Sequence, residues 1–266
     1  MSLVYAYGII RSADAGAAPL DGLTGIAGAA LRVIAQGPVA AVVTDVPEEE
    51  FAEAPLNARL KDLDWLGPRA VLHQEANAGL AGRVSALVPL AFGTIFHDDS
   101  GVARLLAGEQ DSLVARLDAL AGREEWIAML RRDDPVAEVA LGADSEAVGA
   151  LQAEIAAAPP GRAYLLGRRL GETIRAEMRR RDTDADARVG ELLAGAGARL
   201  FREPLIENAG AGAVGRFSAL IAADRAAALE RIAAEFAAEW GSRGYALELS
   251  GPWPAYRFAT LEAAGR

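Results

Sequence analysis

Apolar residues along this chain fall into two kinds of run. In one kind they are continuous or alternate, as in strands. In the other they recur every three or four positions, as in helices. Residues 3–10 mix aromatic and β-branched side chains and predict a first strand. A loop holding Gly16, Pro19 and Gly22 follows. Two further apolar runs, 30–35 and 39–46, flank Gln36-Gly37-Pro38, which suits a hairpin turn. Pro47 closes the second run, and the acidic residues 48–50 with Phe51 lead into helical sequence. Residues 56–82 read as helix in two pieces. Pro68 is expected in the first turn of the second piece, because a proline inside a helix costs ~3 kcal/mol. Leu72, Ala76 and Leu80 then predict a buried stripe. Residues 84–96 read as the next strand, with Pro89 marking an edge or bulge. Asp98, Asp99 and Ser100 offer N-caps for a helix over 102–121, with Val102, Leu105, Leu106, Leu113, Leu117 and Leu120 on its apolar face and Gly122 as its stop.

The second half repeats the theme. A strand over 125–130 contains Trp126 and is closed by Pro135. Ala158-Pro159-Pro160-Gly161 breaks the chain before a long helical stretch from about Arg162, whose core stripe is Leu166, Leu170, Ile174 and Met178. The acidic residues 182–186 interrupt it, and Val189, Leu192, Leu193 and Leu200 resume a helix. Glycines at 210–215 read as a flexible link, after which Phe217, Ala219 and Ile221 alternate as in a strand. Asp224 is the expected cap of a helix with face Leu229, Ile232, Ala233, Phe236 and Trp240. Gly241 and Gly244 end it, and Tyr245, Leu247 and Leu249 predict the last strand; an extra strand is expected near Leu205. The predicted class is therefore α/β (α+β). Two α/β sandwich domains lie in series, residues 1–122 and 123–266, the first with its helices on one face of a small sheet. The second follows a ferredoxin-like β-α-β plan.

The chain closes on Gly251-Pro252-Trp253-Pro254-Ala255-Tyr256-Arg257-Phe258. Two prolines remove two backbone donors and fix φ, so the segment is expected to be an extended tail, neither helix nor central strand. Its rings, Trp253, Tyr256 and Phe258, either pack back on their own domain or contact a partner.

Composition narrows the function. At 266 residues, 52% hydrophobic and 24% charged, the chain is globular. Its formal charge of −10 argues against nucleic acid or an anionic membrane as the main partner, since both need a basic patch. There is no cysteine, which excludes disulfides and thiolate chemistry and fits a cytoplasmic protein. Neither a signal peptide nor a run of ~20 apolar residues is present.

Residues 210–215, Gly-Ala-Gly-Ala-Val-Gly, match G-x-G-x-x-G, but a strand follows where a dinucleotide site needs a helix N-terminus. Asp182-Thr183-Asp184-Ala185-Asp186 imitates a calcium loop, yet Ala187 and Leu193 stand where the turn glycine and bidentate glutamate belong. The two histidines, His73 and His97, have no zinc spacing and read as local structure. Ser85 and Ser218 lie in no nucleophile elbow. No catalytic residue, cofactor site or metal site is expected.

Five stretches, in order, are similar to those of the gas vesicle protein F/L family: Val4-Tyr5-Ala6-Tyr7-Gly8-Ile9, Val88-Pro89-Leu90-Ala91-Phe92-Gly93-Thr94-Ile95-Phe96, Gly122-Arg123-Glu124-Glu125-Trp126, Gly161-Arg162-Ala163-Tyr164-Leu165-Leu166 and the closing Gly251 to Phe258 segment. The chain departs from the family pattern at Ala91, Ala255 and Arg257, and its strand near 129 lacks a lysine. The resemblance implies a non-enzymatic accessory or minor structural protein of gas vesicle assembly, located in the cytoplasm and the vesicle. Its implied partners are the small, very apolar major shell protein and other accessory proteins. Phe92, Phe96, Trp253, Tyr256 and Phe258 are the candidate contacts. The competing reading is a small-molecule enzyme on paired ferredoxin-like domains. Convergent polar groups in a pocket would favour it, whereas an exposed apolar groove would favour client binding.

Overall fold

The first predicted strand is β1 (Ser2–Arg11), and every residue from Leu3 to Ile10 is buried. The computed structural model describes residues 2–16, 20–26, 28–205 and 210–259. Within them the chain forms two compact units. The first runs through Glu125 and includes the chain from Pro252 onward; the second is Trp126–Gly251. The closing tail thus belongs with the first unit, although sequence order places it after the second.

In the first unit a one-turn helix α1 (Ser12–Ala15) follows β1. The hairpin forms as predicted: β2 (Arg32–Gln36) and β3 (Val39–Pro47) pair, with Gln36 opposite Val39 and Gly37 turning at φ 58°. Three helices succeed it, α2 (Glu48–Phe51), α3 (Glu53–Arg59) and α4 (Leu63–Ala81). The strand expected over 84–96 is instead two short pieces, β4 (Val88–Pro89) and β5 (Ile95–Phe96), both antiparallel to β1. The helix expected over 102–121 is broken at Glu109 into α5 (Asp99–Gly108), capped by Asp98, and α6 (Gln110–Leu120). The sheet order is β2-β3-β1-β4, with β5 also on β1.

Helices cover both faces of this sheet, not one. Tyr5, Tyr7 and Val42 share a core with Phe51, Trp65, Ala76 and Leu80 of α2 and α4. Val4, Ala6 and Ala41 point to the other face, which α5 and α6 cover. That is why β1 reads as an unbroken apolar run.

Pro68 lies inside α4, at its sixth position, not in a first turn. The helix begins five residues earlier because Asp62 caps it, accepting from the backbone N–H of Asp64 and Trp65. Contacts around Trp65 offset the proline. Arg69 stacks on its ring at 4.2 Å, and Glu50 accepts from both Trp65 Nε1 and Arg69.

The second unit opens on β6 (Arg123–Arg132), which enters it from the first. Two helices absent from the sequence reading follow, α7 (Asp134–Asp144) and α8 (Glu146–Ala157). Their signals were present: Asp133 and Ser145 each cap one, and Pro135 sits in the first turn of α7. Next come α9 (Pro160–Gly195), β7 (Arg199–Glu203), β8 (Ala213–Ala222), α10 (Ala227–Trp240) and β9 (Tyr245–Trp253). The sheet order is β7-β8-β6-β9. Val189 and Leu193 of α9 and Phe236 and Trp240 of α10 pack on Ala128, Phe217, Ile221 and Tyr245. A short 3-10 turn, Ala223–Arg225, precedes α10, so Asp224 is not its cap.

The acidic stretch 182–186 does not interrupt α9, which runs unbroken for 36 residues. Asp182 accepts from Arg132 at 2.5 Å and from the Tyr245 hydroxyl at 2.7 Å, and Asp186 pairs with Arg202. With those carboxylates engaged and Ala185 buried between them, tertiary contacts override a weak helix propensity.

Candidate functional site

The first unit contains a buried polar cluster centred on His73. Its stripe on α4 is not the predicted Leu72, Ala76 and Leu80. The buried positions are His73, Ala76, Asn77 and Leu80, and Leu72 is only half-buried. The helix thus presents two polar side chains, four residues apart, to the core face of the sheet.

The sheet is shaped to receive them. The β1–β3 register slips between Ala6 and Gly8, so Tyr7 forms a bulge. Gly8 then leaves room where a Cβ would lie 2.6 Å from Leu87 Cδ1 and 3.3 Å from Asn77 Oδ1. Tyr7 stacks on the His73 ring at 5.6 Å, and Tyr5 and Phe92 meet it edge-on, each at 5.7 Å. Tyr256 of the closing segment completes the enclosure at 6.4 Å.

Hydrogen bonds fix the ring. The Leu90 carbonyl, 3.2 Å from Nε2, can only accept, which places the ring proton on Nε2. Nδ1 then accepts from the Tyr5 hydroxyl at 2.9 Å, and that hydroxyl accepts from the Gly93 N–H. The Tyr7 hydroxyl accepts from the Ile26 N–H at 2.7 Å. Asn77 Nδ2 lies 3.1 Å from Nε2 and 2.9 Å from the Tyr256 hydroxyl, while its buried Oδ1 has no partner. Turning the amide over would offer Oδ1 to both the Nε2–H and the tyrosine hydroxyl and remove the donor–donor contact at Nε2.

Burial pushes the His73 pKa down, partly offset by the Leu90 carbonyl, so the ring is neutral near pH 7. Burial also raises Tyr5 and Tyr256, and Tyr7 to about 12. The cluster is a neutral network that ties three separate stretches, around residues 5–7, 90–93 and 256, to one helix. Among the described residues no group of three or more histidine and carboxylate side chains is placed to hold a metal.

Beside this cluster the same unit has a groove of about 460 Å³ with a mixed apolar and polar lining. Phe51, Leu56, Phe92 and Phe96 line it, and so do Glu48, Glu53, Asn57 and His97. The five candidate contacts therefore separate. Phe92 and Phe96 share the groove. Trp253, 40% exposed, lines a smaller cleft with Ser85 and Pro254. Tyr256 and Phe258 turn into the unit, in the short helix α11 (Tyr256–Ala259). That helix corrects the expectation of an extended tail to the end. No proline follows Pro254, so Ala259 N–H can reach Ala255 O and close one turn. Pro252 itself lies in β9, an edge strand of its sheet, where a missing donor is tolerated.

The glycine-rich stretch builds backbone contact. Gly212, at φ 71°, accepts from the Arg132 N–H at 2.7 Å, and β8 begins at Ala213. The residues before this stretch, 206–209, lie outside the described residues. His97 lines the groove, at the start of the turn into α5. Sequence reading missed His73 and Asn77 as a hub. The available signal was two polar residues four apart within a stripe of buried alanine and leucine.

The sequence model for "Gas vesicle synthesis protein GvpL/GvpF" matches residues 3–260. Gas vesicle protein L of Streptomyces sp. (strain CB03234) is 35% identical, over 97% of this chain and 93% of that protein. Gas vesicle protein F of the same strain is 28% identical, over 96% of this chain and 98% of that protein. Gas vesicle protein L2 of Halobacterium salinarum is 26% identical, covering 96% and 90%. The crystal structure of GvpF from Anabaena sp. PCC7120 superposes with a TM-score of 0.68 at 14% identity, covering 98% of this chain and 97% of that one. GvpF from Microcystis aeruginosa gives 0.67 at 15%, covering 97% and 99%. These two likenesses establish the shared fold.

Proposed function

The chain belongs to the GvpL/GvpF family of gas vesicle synthesis proteins, and from that premise we propose that it assists shell assembly by holding the small apolar shell subunit. The observation that carries this reading is the groove of the first unit. Eight apolar side chains, Phe51, Leu56, Phe92 and Phe96 among them, line it together with Glu48, Glu53, Asn57 and His97, which suits an amphipathic client segment with both an apolar and a polar face. The chain's charge of −10 would keep such a complex in solution. Phe92 and Phe96 are the proposed contacts, and Trp253 a secondary one. In this role the protein works without catalysis, in the cytoplasm and at the growing vesicle, beside other accessory proteins.

The test is capture of purified shell protein by the full chain and by two variants. Phe96→Asp combined with Leu60→Asp places charge in the groove; Trp253→Ala removes the exposed ring. Circular dichroism checks that each remains folded. Capture by the wild type, abolished in the groove variant and reduced at most severalfold in Trp253→Ala, is the expected result. Equal capture by wild type and groove variant would move the contact elsewhere. A folded wild type that captures nothing would remove the direct-binding mechanism.

A further inference from the structure

The second unit carries a surface that this role does not use. Between Arg162 and Arg181, helix α9 holds seven arginines against two glutamates, Glu172 and Glu177, in a chain whose net charge is −10. Three of the seven are paired: Arg162 with Glu154, Arg180 with Glu177 and Arg181 with Asp144. Arg168, Arg169, Arg175 and Arg179 are exposed, and among the described residues their guanidinium groups have no ion pair or hydrogen bond.

Helical geometry sorts these four. At about 100° per residue, Arg168, Arg175 and Arg179 fall within about 40° of one another, with Arg169 to one side. The row spans ~16 Å along the axis. One turn nearer the N-terminus, Tyr164 and Leu165 flank the same line, 70% and 65% exposed. A different face of the helix, with Leu170, Ile174 and Met178, packs on Ala137, Leu141 and Val148 of α7 and α8. The row is therefore not needed for the core. Arg175 and Arg179, four residues apart, repel each other, and the row carries a net positive charge. Glu172 is the acidic side chain within the row.

We propose that this face of α9 docks an acidic segment of another protein, whose carboxylates meet Arg168, Arg175 and Arg179 and whose apolar end seats on Tyr164 and Leu165. Charge selects the class of partner. A short acidic segment lies within a Debye length, about 8 Å, of the row and feels chiefly its field. A long polyanion such as duplex DNA, or an anionic bilayer, also meets the rest of an exterior that is net acidic. This docking is independent of the groove of the first unit, and either could hold without the other.

The experiment uses the full chain and a fluorescent helical peptide with glutamates four residues apart and a leucine near one end. Anisotropy is read at low and at physiological ionic strength, beside duplex DNA of similar charge and vesicles containing phosphatidylserine. The peptide is expected to bind, more weakly as salt rises. Combined Arg168→Gln, Arg175→Gln and Arg179→Gln should lower its affinity about tenfold. The corresponding three lysine substitutions should retain most of it, and Tyr164→Ala with Leu165→Ala should lower it severalfold. Circular dichroism confirms the helix in each variant. No peptide binding by the folded wild type, or binding unchanged by the glutamine substitutions, would overturn the proposal. So would tighter binding to DNA or vesicles. Self-association that the glutamine substitutions abolish would assign the row to a second copy of this chain instead, and would also overturn it.

Discussion

The hydroxyl of Tyr5, on the first strand, lies 2.9 Å from Nδ1 of His73, on a helix 68 residues later in the chain. The same hydroxyl accepts from the Gly93 N–H, and the ring's other nitrogen faces the Leu90 carbonyl. One buried imidazole thus joins the first strand to the loop between β4 and β5. Through Asn77 and Tyr256 it also reaches the end of the chain. Three of the five stretches that carry the family resemblance meet around this side chain.

Stability should depend on the charge of His73. Its folded pKa is lowered by burial, so below the ordinary value of 6.5 the unfolded chain binds the extra proton more readily. Stability is therefore complete above about pH 6.5 and falls as pH drops from there through the folded pKa. Urea unfolding across this window should show the loss. His73→Gln should cost about 1–3 kcal/mol at neutral pH by stranding buried partners, and should flatten the acid limb. An acid limb identical in the variant would show that another group governs it.

Tyr256→Phe deletes the hydroxyl next to the Asn77 amide and keeps the ring against His73. A loss of about 1 kcal/mol is expected in chemical denaturation. Tyr256→Ala should cost more, about 3 kcal/mol, because the ring's burial goes too. Equal, negligible effects would mean that the closing segment is not anchored at this point.

Gly212→Ala and Gly167→Ala should move stability in opposite directions. Gly212 turns at φ 71°, and a Cβ there would lie 2.1 Å from the Arg132 carbonyl oxygen, so a loss of about 3 kcal/mol or more is expected. Gly167 sits inside α9 with nothing within 4 Å of its Cβ position, and alanine should stabilise by about 0.5–1 kcal/mol. Thermal melts of the two variants read both signs at once. A tolerated Gly212→Ala would remove the close-packing account of the glycine-rich stretch.

Asp182 tests why the acidic stretch stays helical. Asp182→Ala leaves the Tyr245 hydroxyl, whose ionisation is already disfavoured by burial and the neighbouring carboxylate, with only the weak Met178 sulfur acceptor, and leaves the Arg132 side chain with Asp134. A loss of about 2 kcal/mol is expected, smaller than for a fully buried pair because Arg132 keeps a partner. Asp182→Asn should recover part of it. If Asp182→Ala instead raised helicity and stability, local propensity rather than tertiary pairing would govern this turn.

What the sequence determined by itself was local. The aromatic run of β1, the turn at Gly37, the Asp98 cap and the amphipathic face of α10 are each set by residues within one or two turns of each other, and each was legible. So was the family, because five stretches kept their order along nearly the whole chain. The capping signals for α7 and α8 were equally local, and were passed over. Only the tertiary structure decided the rest. Pro68 stays inside α4 because Arg69 and Glu50 hold Trp65. The aspartates of α9 stay helical because arginines and a tyrosine from distant strands engage them. The closing tail joins the first unit because Asn77, 179 residues earlier, meets the Tyr256 hydroxyl. His73 showed neither its burial nor its partners in the sequence around it. The strength of a buried hydrogen bond depends on which groups the fold excludes from water together, and those groups were brought in from four separate places in the chain.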